Sequence, residues 1–287
     1  EDVQSFAFSG ERGGWIALRK YPANGGGAPS RGPAGGSEEE AGGDDQPRGR
    51  DLVLHELSTG VRLNIGNVSE FAFDDTGRWL AWAVDAQGKT GNGVQLRDMD
   101  TGVIQVLESD DARYSRLAWA DDEPALVALK AGEHDDYEDP LYSLLAWSEV
   151  GARNGPSRVV FDPMEDEGFP EGMTISPNRA PRWSEDMTRI FFGIHEAELK
   201  EDASQEEEGM EEEPEEEEEE EESEDRPAPS GSEEIDDDEK PDLVIWHWQD
   251  PRLQRMQELQ ANRDRNFSYL SVLWVEDGEF VRLADDT

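Results

Sequence analysis

One short unit is written four times along this chain. Val68–Val84 reads VSEFAFDDTGRWLAWAV: an alternating apolar run, a turn at Asp74-Asp75-Thr76-Gly77, and a second apolar run opening at Trp79. Period-two alternation on both sides of a short polar turn containing glycine is a β-hairpin. Weaker copies lie at Val3–Lys20 (VQSFAFSGERGGWIALRK), Ser115–Lys130 (SRLAWADDEPALVALK) and Ala180–His195 (APRWSEDMTRIFFGIH). A recurring supersecondary unit constrains the fold more than any single motif, because each copy must bury its faces against its neighbours.

Each hairpin leads to two further apolar segments. After the first come Asp51–Leu57 and Val61–Ile65, joined by Ser58-Thr59-Gly60. After the second come Gly93–Met99 and Val103–Leu107, joined by Asp100-Thr101-Gly102. After the third come Leu141–Trp147 and Arg158–Phe161; after the fourth, Asp242–Trp248 and Tyr269–Leu283. Four antiparallel strands in about 40–50 residues are the size of one β-propeller blade. The expected fold is therefore all-β: about four blades of four antiparallel strands, at 3–67, 68–110, 111–178 and 179–286, forming part of a larger propeller. Phe8, Phe73, Trp119 and Trp183 fall at one position of the repeat and are expected to pack between neighbouring blades. The blades at Val3–Ile65 and Ala180–Leu283 are not expected to close well on each other.

Three segments stand outside the repeat. Residues 22–50 are glycine, proline and charge, which reads as a flexible loop insertion. Residues 201–240 hold 24 Asp or Glu against Arg226 and Lys240, half of the chain's net charge of −44. Such a tract repels itself and has nothing to bury, so disorder is expected. Residues 250–266 open with Asp250-Pro251, an N-cap followed by a favoured first helical residue, and place Leu253, Met256 and Leu259 on one face. That pattern predicts an inserted helix, which covers the propeller edge or, as the less favoured reading, contacts another domain.

Composition removes several functions. An acidic surface repels nucleic-acid phosphates and anionic lipid, so neither is an expected partner. No apolar run approaches the ~20 residues needed to span a bilayer, so no membrane insertion is expected. There is no Cys, which excludes disulfides and thiolate metal sites. The chain starts at Glu1 without Met or signal peptide, as expected of a processed product or a piece of something longer.

No catalytic constellation is legible, and no catalytic, cofactor-binding or metal residue is assigned. The nearest approach to a G-x-S-x-G nucleophile turn, Gly155-Pro156-Ser157-Arg158-Val159, lacks the second glycine and leads into a strand. His55, His134, His195 and His247 are isolated from one another, and His247 reads as a packed or rim histidine. Asp135-Asp136-Tyr137-Glu138-Asp139 and Glu165-Asp166-Glu167 supply oxygen ligands of the kind Ca²⁺ takes, without the spacing of a calcium loop; solvated loop acids are the better reading. No phosphate-binding or dinucleotide glycine motif is present, and no cofactor is expected.

The hairpin with its apolar-x-aromatic run, D-D-x-G turn and W-L-A run resembles the repeat of TolB-like propellers. It also resembles the N-terminal propeller of prolyl oligopeptidase family serine peptidases. Lys240–Asp286 (KPDLVIWHWQDPRLQRMQELQANRDRNFSYLSVLWVEDGEFVRLADD) resembles a propeller segment of long bacterial members of that family, and Glu1–Tyr21 and Phe71–Leu107 resemble the blades before it. The resemblance implies a propeller that gates access of short or unfolded peptides to an α/β-hydrolase domain carrying Ser, Asp and His. That catalytic domain would be the propeller's docking partner, and nothing in this chain matches its nucleophile motif. Dipeptidyl peptidase relatives hold the substrate's amine with a propeller Glu pair; no single pair here matches that role. The resemblance further implies export to the periplasm or beyond. The alternative is a stand-alone TolB-like protein-binding propeller without enzymatic activity.

Overall fold

A computed structural model describes residues 3–21, 48–200 and 266–284, together with Arg263. The chain divides into two units, Glu1–Lys200 with Ser268–Thr287, and Glu201–Phe267. Nearly all described residues lie in the first unit, and the following concerns that unit. The expected loop at 22–50 (beyond its last residues), acidic tract at 201–240, strand at 242–248 and helix at 250–266 (beyond Arg263 and Asn266) lie outside the described residues.

The described unit is antiparallel β-structure. The strands are β1 (Val3–Phe8), β2 (Trp15–Lys20), β3 (Arg50–Glu56), β4 (Arg62–Phe73), β5 (Trp79–Val84), β6 (Gly93–Asp98), β7 (Ile104–Ser109), β8 (Arg113–Trp119), β9 (Leu126–Gly132), β10 (Leu141–Ser148), β11 (Ser157–Phe161), β12 (Met173–Ile175), β13 (Arg182–Trp183), β14 (Arg189–Glu196), β15 (Tyr269–Trp274) and β16 (Phe280–Arg282). Consecutive strands β1 to β7 form one seven-stranded sheet, in which β4 serves two blades. Its first part pairs with β3 and its second, from Val68, with β5. Asn67, at φ 58, takes the left-handed conformation that Asn tolerates better than most side chains, between the two halves. The second sheet is β8 to β11. In the third, β12 and β13 both pair with β14, followed by β15 and β16.

The blades pack face to face, and strand alternation shows how. On β5, Leu80 and Trp82 join Ala17, Leu52, Leu54 and Val68 in a core between the first and second blades. From the same strand Trp79, Ala81 and Ala83 join Leu117, Leu126, Ala128, Leu145 and Trp147 between the second and third. On β9, Val127 and Leu129 face the other way and meet Ile175, Ile190, Phe192, Ile194 and Leu273 of the fourth. A strand buried on both faces reads as a continuous apolar run, which is why Trp79–Val84 carries no polar residue. Three cores between four four-stranded units stacked in chain order are the arrangement of successive propeller blades.

The repeat position expected to pack between blades does so in a directional way. Phe73 packs against the first blade, Trp119 against the second and Trp183 against the third, each facing the blade before its own. The Trp119 indole N–H also donates to the Ala72 carbonyl, 3.0 Å away. Phe8 meets no preceding blade among the described residues and departs from the expectation: it is 53% exposed, edge-on to Phe6, itself 63% exposed. Among the described residues no core cluster joins the first blade to the fourth.

Turn chemistry explains the copies and corrects one strand assignment. Asp74 accepts from the Trp79 amide at 2.7 Å, closing its hairpin. Ser9 does the same for Trp15 at 3.0 Å, and Ser184 for Arg189 at 3.0 Å. The third-to-fourth strand turns share another pattern: Gly60 donates to Glu56, Gly102 to Asp98 and Gly278 to Trp274, all between main-chain atoms. By that pattern β15 is the third strand of the last blade and β16 the fourth, where the sequence suggested Asp242–Trp248 third and Tyr269–Leu283 fourth. Tyr269–Trp274 pairs directly with β14, and Asp277-Gly278 is the turn that divides the longer apolar segment.

Candidate functional site

The connection between strands two and three leaves every blade at the same end of its sheet, because the strands are antiparallel. In the second blade it is Asp85–Asn92, and in the third Glu133–Pro140. In the fourth it departs after Lys200 and returns at Ser268. At this end lies a cavity of about 490 Å³, lined among others by Lys89, Arg113, Glu133, His134, Tyr137 and Lys200. Residues from three blades meet there.

Backbone bonds hold the acidic loop Asp135–Asp139 against the chain leaving β14. Tyr137 and Leu199 form an isolated antiparallel bridge. Lys200 N donates to the Asp136 carbonyl and Glu138 N to that of Glu198, each at 2.9 Å. The Lys200 ammonium donates to the Asp135 carbonyl at 2.7 Å. On the other side Lys89 pairs with Glu133, and hydrogen bonding to Lys89 holds that carboxyl below its ordinary value. Arg113 approaches the buried Asp85 at 3.8 Å. Asp85 also accepts from the Arg48 amide at 2.9 Å and from Asn92, so its buried charge is met by donors.

His134 stands edge-on to Tyr137, centroids 5.3 Å apart, and its Nδ1 accepts from the Asp136 amide at 3.3 Å. Beyond Glu133 and His134 the surface turns apolar in an adjoining pocket of about 160 Å³, with Leu141, Tyr142, Met164 and Met173. A polar chamber thus adjoins an apolar one with two methionines in its lining.

Among the described residues no hydrogen bond links a serine hydroxyl to a histidine, the pairing that activates the serine of a Ser-His-Asp hydrolase. Ser157 of the Gly155–Val159 stretch opens strand β11. His195 lies within β14, and burial pushes its pKa down. His55 lies on β3 opposite Ile16. His247 lies outside the described residues. Glu165 closes a short 3-10 turn capped by Asp162, which accepts from Met164 N at 3.1 Å. Among the described residues no three His, Asp or Glu converge as metal ligands would. Among the described residues, too, no helix is long and apolar enough to cross a membrane.

Sequence reading did not find Lys89, Arg113 and Lys200 as one site. They come from three blades, and only the blade register brings them together.

No family model matches the chain, and no curated protein matches it. Among solved structures it is similar to the β-propeller domain of the trilobed protease of Pyrococcus furiosus, described as an open velcro topology. That match has 10% identity and a TM-score of 0.42, over 99% of this chain and 58% of that one. A structure from a study of two prolyl endopeptidases matches at 12% identity and TM-score 0.38, over 68% of this chain and 26% of that one. The acylaminoacyl peptidase of Pyrococcus horikoshii matches at 12% identity and TM-score 0.37, over 67% and 27%. The chain thus spans 58% of the first of these and about a quarter of the other two. These superpositions are loose; the blade arrangement stands on strand pairing and the three inter-blade cores.

Proposed function

We propose that this chain is part of the propeller of a prolyl oligopeptidase-like serine peptidase, acting in substrate gating and in docking to an α/β-hydrolase domain. The observation that carries the reading is the open face of the first blade. Three blade faces are matched by a neighbour, whereas Phe6 and Phe8 present the same alternating pattern to solvent. An exposed aromatic pair at a position that elsewhere packs on a preceding blade is the mark of a missing neighbour. The sequence resemblance at Lys240–Asp286 supports the peptidase side of the reading. The groove at the loop end supports peptide as the ligand. The same reading places the parent protein in the periplasm or outside the cell, which fractionation of the source cells would check.

The test is to label the native protein in its source with a fluorophosphonate probe and weigh the labelled species. Labelling on a polypeptide heavier than 32.1 kDa that contains this sequence is expected. A native 32.1 kDa species that takes no label would refute it. That outcome would favour the second reading, a stand-alone protein-binding propeller, for which the polar and methionine-lined groove is the supporting observation.

A further inference from the structure

The chain carries 70 Asp and Glu against 26 Lys and Arg, so carboxylates are abundant around every cation. Many described cations have taken one: Arg12 pairs with Asp100, Lys130 with Asp110, Arg158 with Glu108 and Arg189 with Asp186. Arg116, Arg179 and Arg182 form no ion pair among the described residues. All three belong to the first-strand region of adjacent blades. Arg116 is on β8, Arg182 opens β13, and Arg179 lies just before it, with β13 running beside β8. Arg179 donates to the Ser268 hydroxyl at 3.1 Å, and both it and Arg182 are exposed.

Arg116 is held in an uncommon backbone state. It sits in a β-bulge between Ser115 and Ala118 at φ 56, left-handed and costly for a side chain of this size. Bulges of this kind re-aim a side chain near functional sites. The bulge is fixed from the neighbouring blade: Glu70 accepts from Arg116 N at 2.7 Å and from Leu117 N at 3.0 Å, one with each carboxylate oxygen. Both of its oxygens bond the backbone of the bulge, and its charge also attracts the Arg116 guanidinium, although no ion pair forms between them. Burial pushes the Glu70 pKa up despite these bonds. A partly buried carboxyl group thus fixes a strained arginine, which core packing alone does not require.

We propose that Arg116, Arg179 and Arg182 form a carboxylate-binding surface on the inner strands of the third and fourth blades, recognising an acidic peptide. Guanidinium groups suit this ligand because their planar donor fork matches a carboxylate. The overall negative charge makes the site selective, since an anion is held only where several arginines outweigh the repulsion around it. Glu70 acts as a positioning residue, through the bulge. This surface is independent of any attached catalytic domain.

The experiment is calorimetric titration of the full chain with an acetylated, amidated tetraglutamate peptide. Tetraglutamine capped at both ends is the neutral control, and acetylated tetraglutamine with a free C-terminus presents one terminal carboxylate. Binding of tetraglutamate, weakened at least about tenfold by Arg116→Asn and again by Arg182→Gln, is expected. Asn tolerates the left-handed backbone, and Arg182 is exposed, so both variants should fold. Equal binding of the free-C-terminus peptide, with the same sensitivity to both variants, would support the surface and assign it to chain ends. Absence of binding by the unaltered chain, equal affinity for capped tetraglutamine, or unchanged affinity in both variants would overturn the proposal.

Discussion

Replacing Gly77 by alanine tests how the first two blades are locked together. Gly77 closes the β4–β5 turn at φ 71, and the β1–β2 turn of the preceding blade lies directly against it. A Cβ there would sit 2.5 Å from the Ser9 carbonyl oxygen; one at Gly10 would sit 2.1 Å from that of Asp75. Glu11 N donates to that same Asp75 carbonyl at 2.9 Å, so neither turn can move aside alone. Two costs are expected. A left-handed backbone costs a side-chain-bearing residue about 1–2 kcal/mol, and forcing the turns apart costs about 1–3 kcal/mol more. Gly278 is the control, with the same φ of 71 in another turn and nothing within 4 Å of the added carbon. Gly278→Ala should therefore show only the first cost, and Gly77→Ala both. Urea unfolding followed by tryptophan fluorescence measures the difference. In thermal unfolding each kcal/mol corresponds to about 2–4 °C for a domain of this size. Equal losses in the two variants would refute the interlocked turns.

Further outcomes follow from other contacts. Phe73→Ala should cost about 2 kcal/mol, below the range for a fully buried ring because Phe73 is only partly buried, whereas Phe8→Ser in this chain should change stability by no more than about 0.5 kcal/mol; chemical denaturation of both variants compares the packed and open copies of one repeat position. Trp119→Phe keeps a ring but loses the bond to the Ala72 carbonyl, so a loss of about 1 kcal/mol is expected in the same assay. Glu70 has a folded pKa above its unfolded value, so the folded state binds its proton more tightly. Its contribution is greatest below the unfolded carboxyl pKa and is lost as pH rises through the folded one. The stability of the unaltered chain relative to Glu70→Gln should accordingly fall with rising pH across that window, and a flat difference would remove the buried carboxylate from the account.

Much of the fold was legible in the sequence because turn and strand chemistry repeat. Asp74, Ser9 and Ser184 are small side chains with oxygen acceptors at one turn position, and Gly60, Gly102 and Gly278 mark another. Tyr269–Leu283 was misread as one strand because Asp277-Gly278 lies within an apolar stretch, and the preceding Asp242–Trp248 offered a plausible third strand. The exposure of Phe8 was hidden for another reason: alternation gives the face a side chain occupies, not whether a neighbour covers it. The groove and the arginine surface were less accessible still. Lys89, Arg113 and Lys200 become neighbours only through blade order, and Arg116 owes its position to a bulge that composition does not announce.

The most direct test of the central claim is solvent protection of Phe8. Hydroxyl-radical footprinting read by mass spectrometry would compare Phe6 and Phe8 in this isolated chain with the same residues in the native protein. The account predicts strong oxidation of both in the isolated chain and protection of both in the native protein, where a further blade covers them. Equal oxidation in the two samples would contradict it and leave four blades as the whole propeller.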